Sequence, residues 1–596
     1  MRKKDKFSFI THHSSLIILF THRSSLLLVA VFLLALAARF SYLIEIRDNP
    51  FFNHPLFDAY TYFQQAKAIA GGDIAGRSAA FDNGDAYAQG PGYPFLLASV
   101  IVLFGLKFVF LRGMGLLMGA INCLLTAALG KRAFDLRTGV VAGILAAYWG
   151  PSLFFDAEFL AVTSMMTFLL LALLVASNAG LRLSRWAAAG ALTALAALIW
   201  PMALVAAPAM TTWIMSAKAS LRAKFKAIAI LGIAILTPIM PVTIRNIVVG
   251  HERVLISWNS GINFYIGNQP DAERLIKIRP SFQWYRLIER PLRYGMRTHS
   301  ERSAWFLKET RRSIGEHPGR WLLWMLHKTA IFLNGYEVVR DQDLYYFREY
   351  STLLYVLLWN KGVSFPLGII WPFALIGAGL FLIGHGGAEK WRQPAALLLI
   401  FGLLYSASVI LFFVTSRYRL PVIGIVLIFA AWSIGQIWDI IRRRHIRSLV
   451  PIVALLLALG WFCNMGRFKM NTVLPGENNY NLGKIYYDQG RYIEAKEYFL
   501  KSYAEDPSDI TLLNELGNIA IAERKKEEAL SWYDRAIALD PMMPESRANR
   551  AATLAELGRY EDAAAEYKKA IEISPQWDIP RDGLEKLKPF LKNAPH

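Results

Sequence analysis

Cysteine is nearly missing from this chain. Cys123 and Cys463 are the only two in 596 residues. Each stands inside an apolar stretch, which excludes a disulfide framework and a Cys-ligated zinc site. Charge is scarce too: Asp, Glu, Lys and Arg make up 18% of the residues against 55% hydrophobic ones. That balance argues against a soluble enzyme and for a polytopic membrane protein. No P-loop, dinucleotide fingerprint, HExxH helix or nucleophile elbow is present, so the chemistries those motifs carry find no support. The N-terminal stretch "MRKKDKFSFITHHSSLIILFTHRSS" has no small-residue cleavage signature before the apolar run from Leu26 to Leu43. It reads as an uncleaved signal anchor, with residues 1–25 in the cytoplasm.

What charge there is lies unevenly. The formal net charge is +20, yet residues 476–596 carry 17 Lys and Arg against 22 Asp and Glu, a net of −5, leaving 48 against 23 elsewhere. The basic excess therefore belongs to loops flanking a membrane and not to a nucleic-acid surface.

A spanning helix needs about 20 mostly apolar residues, and cytoplasmic loops carry the Lys and Arg excess. The cytoplasmic markers are Arg2 to Lys4, "KRAFDLR" (131–137), "RLSR" (182–185), "SAKASLRAKFK" (216–226), "EKWR" (389–392) and "RRRHIR" (442–447). An even number of crossings must separate any two of them. The Gly/Pro-bounded "PFLLASVIVLFG" is therefore read as a juxtamembrane segment, with crossings near 26–45, 113–130, 138–155, 159–178, 186–200, 202–215, 227–244, 366–384, 395–414, 420–438 and 448–464. Apolar stretches at 321–335 and 351–360 would add a further pair, giving 11 or 13 spans. The outer side receives loops 46–112 and 245–365, a tight turn at 155–159 and everything beyond Asn464.

The C-terminus has a period. Pro507, Pro541 and Pro575 recur every 34 residues, as do Ala495, Ala529 and Ala563, and Phe499, Tyr533 and Tyr567. This is the tetratricopeptide period, in which small residues let paired helices approach and aromatics fill the space between them. After a linker at 466–477, residues 478–592 are read as three repeats closed by a polar capping helix at 578–592. The third repeat departs from the pattern, with Arg550 and Ala551 where Leu and Gly stand in the others. The stack is expected either to bind a protein partner or to serve as a scaffold.

The charge pattern places two acidic clusters at the outer face: Asp58, and the pair Asp156 and Glu158. A carboxylate there can take a proton from an acceptor hydroxyl or position a cation. Asp58 is equally suited to cap the helix through "AYTYFQQAKAIA". Asp156 and Glu158 could form a simple interfacial turn, although charge at membrane depth is costly unless paired or functional. Arg245, Arg417 and Arg419 lie on the outer side against the topogenic bias, which makes them candidate phosphate ligands through the bidentate guanidinium fork; the alternative is snorkelling at a helix end. Lys328 and His54 are weaker candidates. The stretch "SWNSGINFYIGNQP" (257–270) mixes amides, glycines and aromatics as sugar-contacting loops do, and as turns do.

Taken together, this layout resembles the membrane glycosyltransferases of the C-type fold, which use polyprenyl-phosphate sugars as donors. The resemblance covers residues 26 to about 440 and rests on Asp58 with Tyr62 and Ala66, on "GPGYPFLLA", on Asp156 and Glu158, on Arg245 and Asn246, and on "SRYRLP" at 416–421. With the repeats added, the chain is similar to transmembrane O-mannosyltransferases. The resemblance implies an all-α transmembrane domain over 26–465 and Asp58 as the catalytic residue. It leaves open a divalent cation, Mg or Mn, held by Asp58, Asp156 and Glu158; no other cofactor is implied.

The expected function is transfer of a sugar from a polyprenyl-phosphate donor, with inversion, to a protein or envelope-glycan acceptor on the extracytoplasmic side of a bacterial inner membrane. The alternatives are a non-catalytic, membrane-anchored assembly factor and a flippase for lipid-linked sugars. The flippase is disfavoured because the acids gather at one surface.

Overall fold

The structure is a computed structural model that describes residues 23–591, apart from 280, 281, 341, 385, 386 and 576. The basic N-terminal stretch before residue 23 lies outside the described residues. Every regular element among them is helical, an isolated β-bridge between Trp359 and Phe365 being the exception. The chain divides into two compact units, Met1–Ile276 with Ile288–Thr472, and Lys277–Leu287 with Val473–His596.

The first unit is an apolar helical bundle. Among the described residues five helices are long and apolar enough to cross a membrane: Ser24–Ile46, Phe108–Ala133, Leu221–Val248, Pro394–Leu411 and Ser416–Arg442. A sixth span results if Leu136–Ala147 and Gly150–Ala157, bent by 59° at their junction, count as one. The 11 or 13 spans expected are not confirmed by this count: the crossings expected near 159–178, 186–200, 366–384 and 448–464 fall on apolar helices of 10–17 residues. The run at 186–215 splits at Trp200, where Pro201 forces a short 3-10 turn between Leu183–Ile199 and Ala206–Ser216. At 1.5 Å per residue, helices of 11 to 17 residues fall short of a hydrocarbon core of about 30 Å.

Ser416–Arg442 is the most enclosed of the five, with 72% of its apolar window buried. Leu221–Val248, by contrast, leaves Ile233, Leu236, Ile244 and Val248 exposed. A continuous apolar face of that size on a helix demands an apolar surrounding. Beyond the last turn of this helix, the amides that open His299–Glu316 are fully accounted for. Thr298 and Glu301 form a capping box, and the Glu252 carboxylate accepts from the amides of His299 and Ser300 at 2.8 and 2.6 Å. Burial acts to raise the Glu252 carboxyl, but these donated bonds outweigh it and hold the group below the usual carboxylate range.

The second unit contains three helical hairpins: Glu477–Asp488 with Tyr492–Glu505, Ile510–Ala522 with Lys526–Leu539, and Pro544–Glu556 with Tyr560–Ile573. Asp578–Leu591 closes the stack through Leu587. Ala495, Phe499, Leu512 and Leu516 are buried where the first two hairpins meet, as the 34-residue period requires. Close approach at Gly517 shows why glycine stands there: a Cβ would lie 2.3 Å from the Tyr533 ring. In the third repeat Ala551 takes that position, and Tyr567 closes against Gly583 of the capping helix. Gly517→Val is expected to destabilise this unit by about 1–3 kcal/mol through overpacking. The check is the denaturant midpoint for loss of protease protection over 477–591, which should fall while the bundle's midpoint stays unchanged.

Candidate functional site

Asp58 sits in the first turn of the helix Phe57–Ala70, whose N-cap is Leu56 and lacks a side-chain cap bond. The carboxylate is engaged elsewhere. Oδ1 accepts from Gln89 Nε2 at 3.0 Å, and Oδ2 accepts from Arg417 Nη1 at 2.9 Å. The residue before it, Phe57, has φ 51°, a left-handed conformation that a bulky side chain rarely adopts. Strain of this kind is retained only where surrounding structure holds it, and it gathers at functional positions.

Three distant segments supply the partners. Gln89 reaches Asp58 from the "GPGYP" turn, where the backbone of Gly90 packs on the end of Leu183–Ile199. A Cβ at Gly90 would lie 2.5 Å from the Leu198 carbonyl oxygen, so only glycine permits the approach. Arg417 is the second residue of Ser416–Arg442, whose N-cap Thr415 accepts from the Tyr418 amide at 3.3 Å. The guanidinium lies 5.3 Å from the Trp200 ring and 5.6 Å from that of Tyr418, and these two rings meet edge to face at 5.0 Å. Such packing limits the rotamers of the arginine and favours its charge.

These groups line a cavity of about 370 Å³ together with Tyr62, Ser257, Asn259, Ser260 and Asn263. One wall thus carries a carboxylate beside a guanidinium, and the rest combines amides, hydroxyls and aromatic rings with the apolar side chains of Ile199, Met202, Leu204, Val205 and Leu255. Side-chain exposure is 30% at Asp58 and 12% at Arg417, so the acid remains reachable from the cavity. A volume of this order accommodates a small polar ligand.

The remaining sequence-derived candidates lie elsewhere. Asp156 is buried and paired with Arg39 at 2.7 Å, with Thr163 Oγ1 donating to its other oxygen at 2.8 Å. Glu158 is buried against Arg112 at 2.9 Å and accepts from Gln342 Nε2 at 3.3 Å. Both acids are therefore neutralised inside the bundle and do not form an interfacial turn: Asp156 lies within Gly150–Ala157 and Glu158 caps that helix. Among the described residues no group of three His, Cys, Asp or Glu side chains is placed to hold a metal ion. Asp58, Asp156 and Glu158 thus do not fit a shared Mg or Mn site, and no step is assigned to a cation.

Arg245 likewise serves the fold. It donates to the carbonyl of Ala75 at 2.8 Å and to those of Gly76 and Asp85, with its guanidinium 4.2 Å from the Tyr87 ring. Its neighbour Asn246 accepts from the Tyr87 amide and donates to the carbonyls of Val254 and Ile256. This pair organises the loop at 75–87 and is not part of the cavity wall. Arg419 is buried on Glu337 at 2.7 Å and donates to the Asn334 and Tyr336 carbonyls. Lys328 is spent on the carbonyls of Gly267 and Phe412 at 3.0 and 2.8 Å. His54 closes a turn through its amide to the Phe51 carbonyl and does not line the cavity. Of the candidates, Asp58, Tyr62 and Arg417 line the cavity together.

Gln89, Trp200 and Tyr418 were missed as individual residues. The signals were nevertheless in the sequence: Gln89 immediately precedes "GPGYP", Trp200 precedes a proline inside an apolar run, and Tyr418 lies in "SRYRLP".

Comparison with known proteins bears on the second unit. Residues 480–544 and 516–586 match two tetratricopeptide repeat family models. The TPR repeat-containing thioredoxin TTL4 of Arabidopsis thaliana is 36% identical over 106 residues, 18% of this chain and 15% of that protein. The Hsp70-Hsp90 organizing protein of Triticum aestivum is 41% identical over 61 residues, 10% of each. Among solved structures, the first TPR of Spaghetti (RPAP3), bound to an HSP90 peptide, aligns with 20% of this chain and 94% of its own. That alignment has 24% identity and a TM-score of 0.20. The chain spans less than a fifth of the length of these two curated relatives. It carries C-terminal tetratricopeptide repeats, while the glycosyltransferase resemblance of the first unit has no counterpart among these matches.

Proposed function

We propose that this chain is a membrane-anchored protein whose tetratricopeptide unit holds a protein partner. The repeat-model matches at 480–586 carry this reading, with five membrane-length apolar helices supplying the anchor. Stacked helical repeats present an extended surface suited to peptide recognition. A relative matched at 41% identity is named for organizing Hsp70 and Hsp90, which supports the same kind of role here. Within the stack, Asn549 Nδ2 donates to the side-chain oxygens of Asn514 and Asn518 at 3.2 and 3.1 Å. These amides join the first helices of successive repeats; Asn514 is buried beneath them, and the half-buried Asn518 and Asn549 are the two that would meet a peptide. The test is affinity purification of the full chain beside an Asn514→Ala, Asn518→Ala, Asn549→Ala variant of equal abundance. A specific partner is expected to fall at least about tenfold in recovery, a change of about 1.4 kcal/mol. Equal recovery overturns the reading.

The cavity favours a second activity for the first unit: glycosyl transfer from a polyprenyl-phosphate sugar, on the extracytoplasmic side of a bacterial inner membrane, to a protein or envelope-glycan acceptor presented by the repeats. The observation behind it is the carboxylate and guanidinium 2.9 Å apart on the wall of a reachable cavity. In this reading Asp58 takes the proton of the acceptor hydroxyl as the new bond to the sugar forms. Arg417 leaves the carboxylate to bind the oxygens of the departing lipid phosphate, for which its fork is suited. Gln89 keeps Asp58 oriented through that exchange.

A further inference from the structure

The residues Lys277–Leu287 belong by sequence to the long loop of the first unit, yet they pack as part of the repeat unit. Two ion pairs hold them there. Arg279 grips Glu477 through both nitrogens of its fork, Nη2 to Oε2 at 3.0 Å, with side-chain exposures of 10% and 11%. Arg286 reaches Asp540 at 3.3 Å from the helix Phe282–Ile288. Glu477 opens the first helix of repeat one, and Asp540 is the C-cap of the second helix of repeat two. In a stack of antiparallel helical hairpins those two ends share one edge, so two acids from different repeats grip two arginines seven positions apart.

Charge agrees with this arrangement. Residues 476–596 are net negative at −5, whereas the segment "KIRPSFQWYRL" has one Lys, two Arg and no acid. It also brings Trp284 and Tyr285, and Leu287 is buried. A bidentate, largely buried Arg–carboxylate pair has the geometry that gives a peptide contact its specificity.

We propose that the repeat edge bearing Glu477 and Asp540 is a recognition surface for basic peptide segments with aromatic residues between paired arginines, and that Lys277–Leu287 is its ligand in cis. A protein partner of this chemistry binds only by displacing the segment. Tethering gives the cis ligand an effective concentration of about millimolar order, so a free peptide of equal intrinsic affinity competes poorly until the latch is opened. The inference rests on the partner-holding role proposed for the repeats and adds the chemistry of the partner.

The probe is a fluorescent synthetic peptide of residues 277–287, titrated by anisotropy into the detergent-solubilised full chain. In an Arg279→Glu, Arg286→Glu variant the peptide is expected to bind at least about tenfold more tightly than to the unaltered protein. Adding Glu477→Arg and Asp540→Arg to that variant should remove the gain. A swapped pair, Arg279→Glu with Glu477→Arg, should return binding to the weak level of the unaltered protein, and thermal melting identifies any variant that has lost its fold. Equal binding by the unaltered and opened proteins overturns the proposal, as does a gain that survives reversal of Glu477 and Asp540. If the latch fails this test while the asparagine variant still loses its partner, recruitment stands without the cis ligand. If the opened variant gains peptide but no partner depends on the asparagines, the edge is a peptide site and the recruitment reading falls.

Discussion

Asp156→Asn is expected to lower the stability of the helical bundle by about 3–5 kcal/mol, the scale on which a buried pair fails when one partner is neutralised. The Arg39 guanidinium is 1% exposed and places both Nε and Nη2 on one Asp156 oxygen, at 2.9 and 2.7 Å. Asparagine keeps the shape and can still accept from Thr163, so what is lost is the compensation of charge. The Arg39→Met, Asp156→Asn double variant removes the stranded cation and should recover most of the loss. Unfolding followed by tryptophan fluorescence in detergent measures both. A single-variant loss below about 1 kcal/mol would mean that the Ala35 and Ala147 carbonyls, which also accept from Arg39, suffice to hold it.

Asp58→Asn should reduce the proposed sugar transfer by about 10²–10⁴-fold, the usual contribution of a positioned general base. The change removes the proton acceptor and weakens the contact to Arg417, while a hydrogen bond to Gln89 remains available. Incorporation of label from a polyprenyl-phosphate sugar into membrane products provides the readout, with protein abundance and partner recovery as controls. Full product formation by the variant would end the enzymatic reading and leave the anchored repeat protein. Arg417→Lys sharpens the result: it keeps the positive charge but loses the fork, so it should weaken donor use more than partner recovery.

Asp58 was legible as a candidate through the family resemblance, and Arg417 as a cation in a stretch expected to lie on the outer side. The expected convergence of the acids and arginines on one pocket is met by Asp58 and Arg417, 359 positions apart, and not by Asp156, Glu158, Arg245 or Arg419. Asp156, Glu158 and Arg419 satisfied the same local tests and turned out to be internal pairs, because Arg39 and Arg112 reach the two acids from other helices and Glu337 reaches Arg419 from the loop after Leu333. Charge at membrane depth marks a residue that must have a partner, and a functional ligand and a structural arginine meet that need equally well. The expected 11 or 13 spans are not confirmed, because mean hydropathy records neither how short an apolar helix is nor the bend after Ala147.

The repeats were readable in full detail from order alone. Each hairpin buries its alanines and aromatics against its immediate neighbours in the chain, so a 34-residue period already states which side chains touch. Sequence also determined the all-helical, apolar character of the first unit, since composition decides which solvent a surface tolerates. Only the tertiary structure decided which charges are spent inside the bundle, which two face a cavity, and that Lys277–Leu287 belongs to the same compact unit as the repeats. Those outcomes depend on contacts between positions tens to hundreds of residues apart, and no local pattern records how the chain closes such distances.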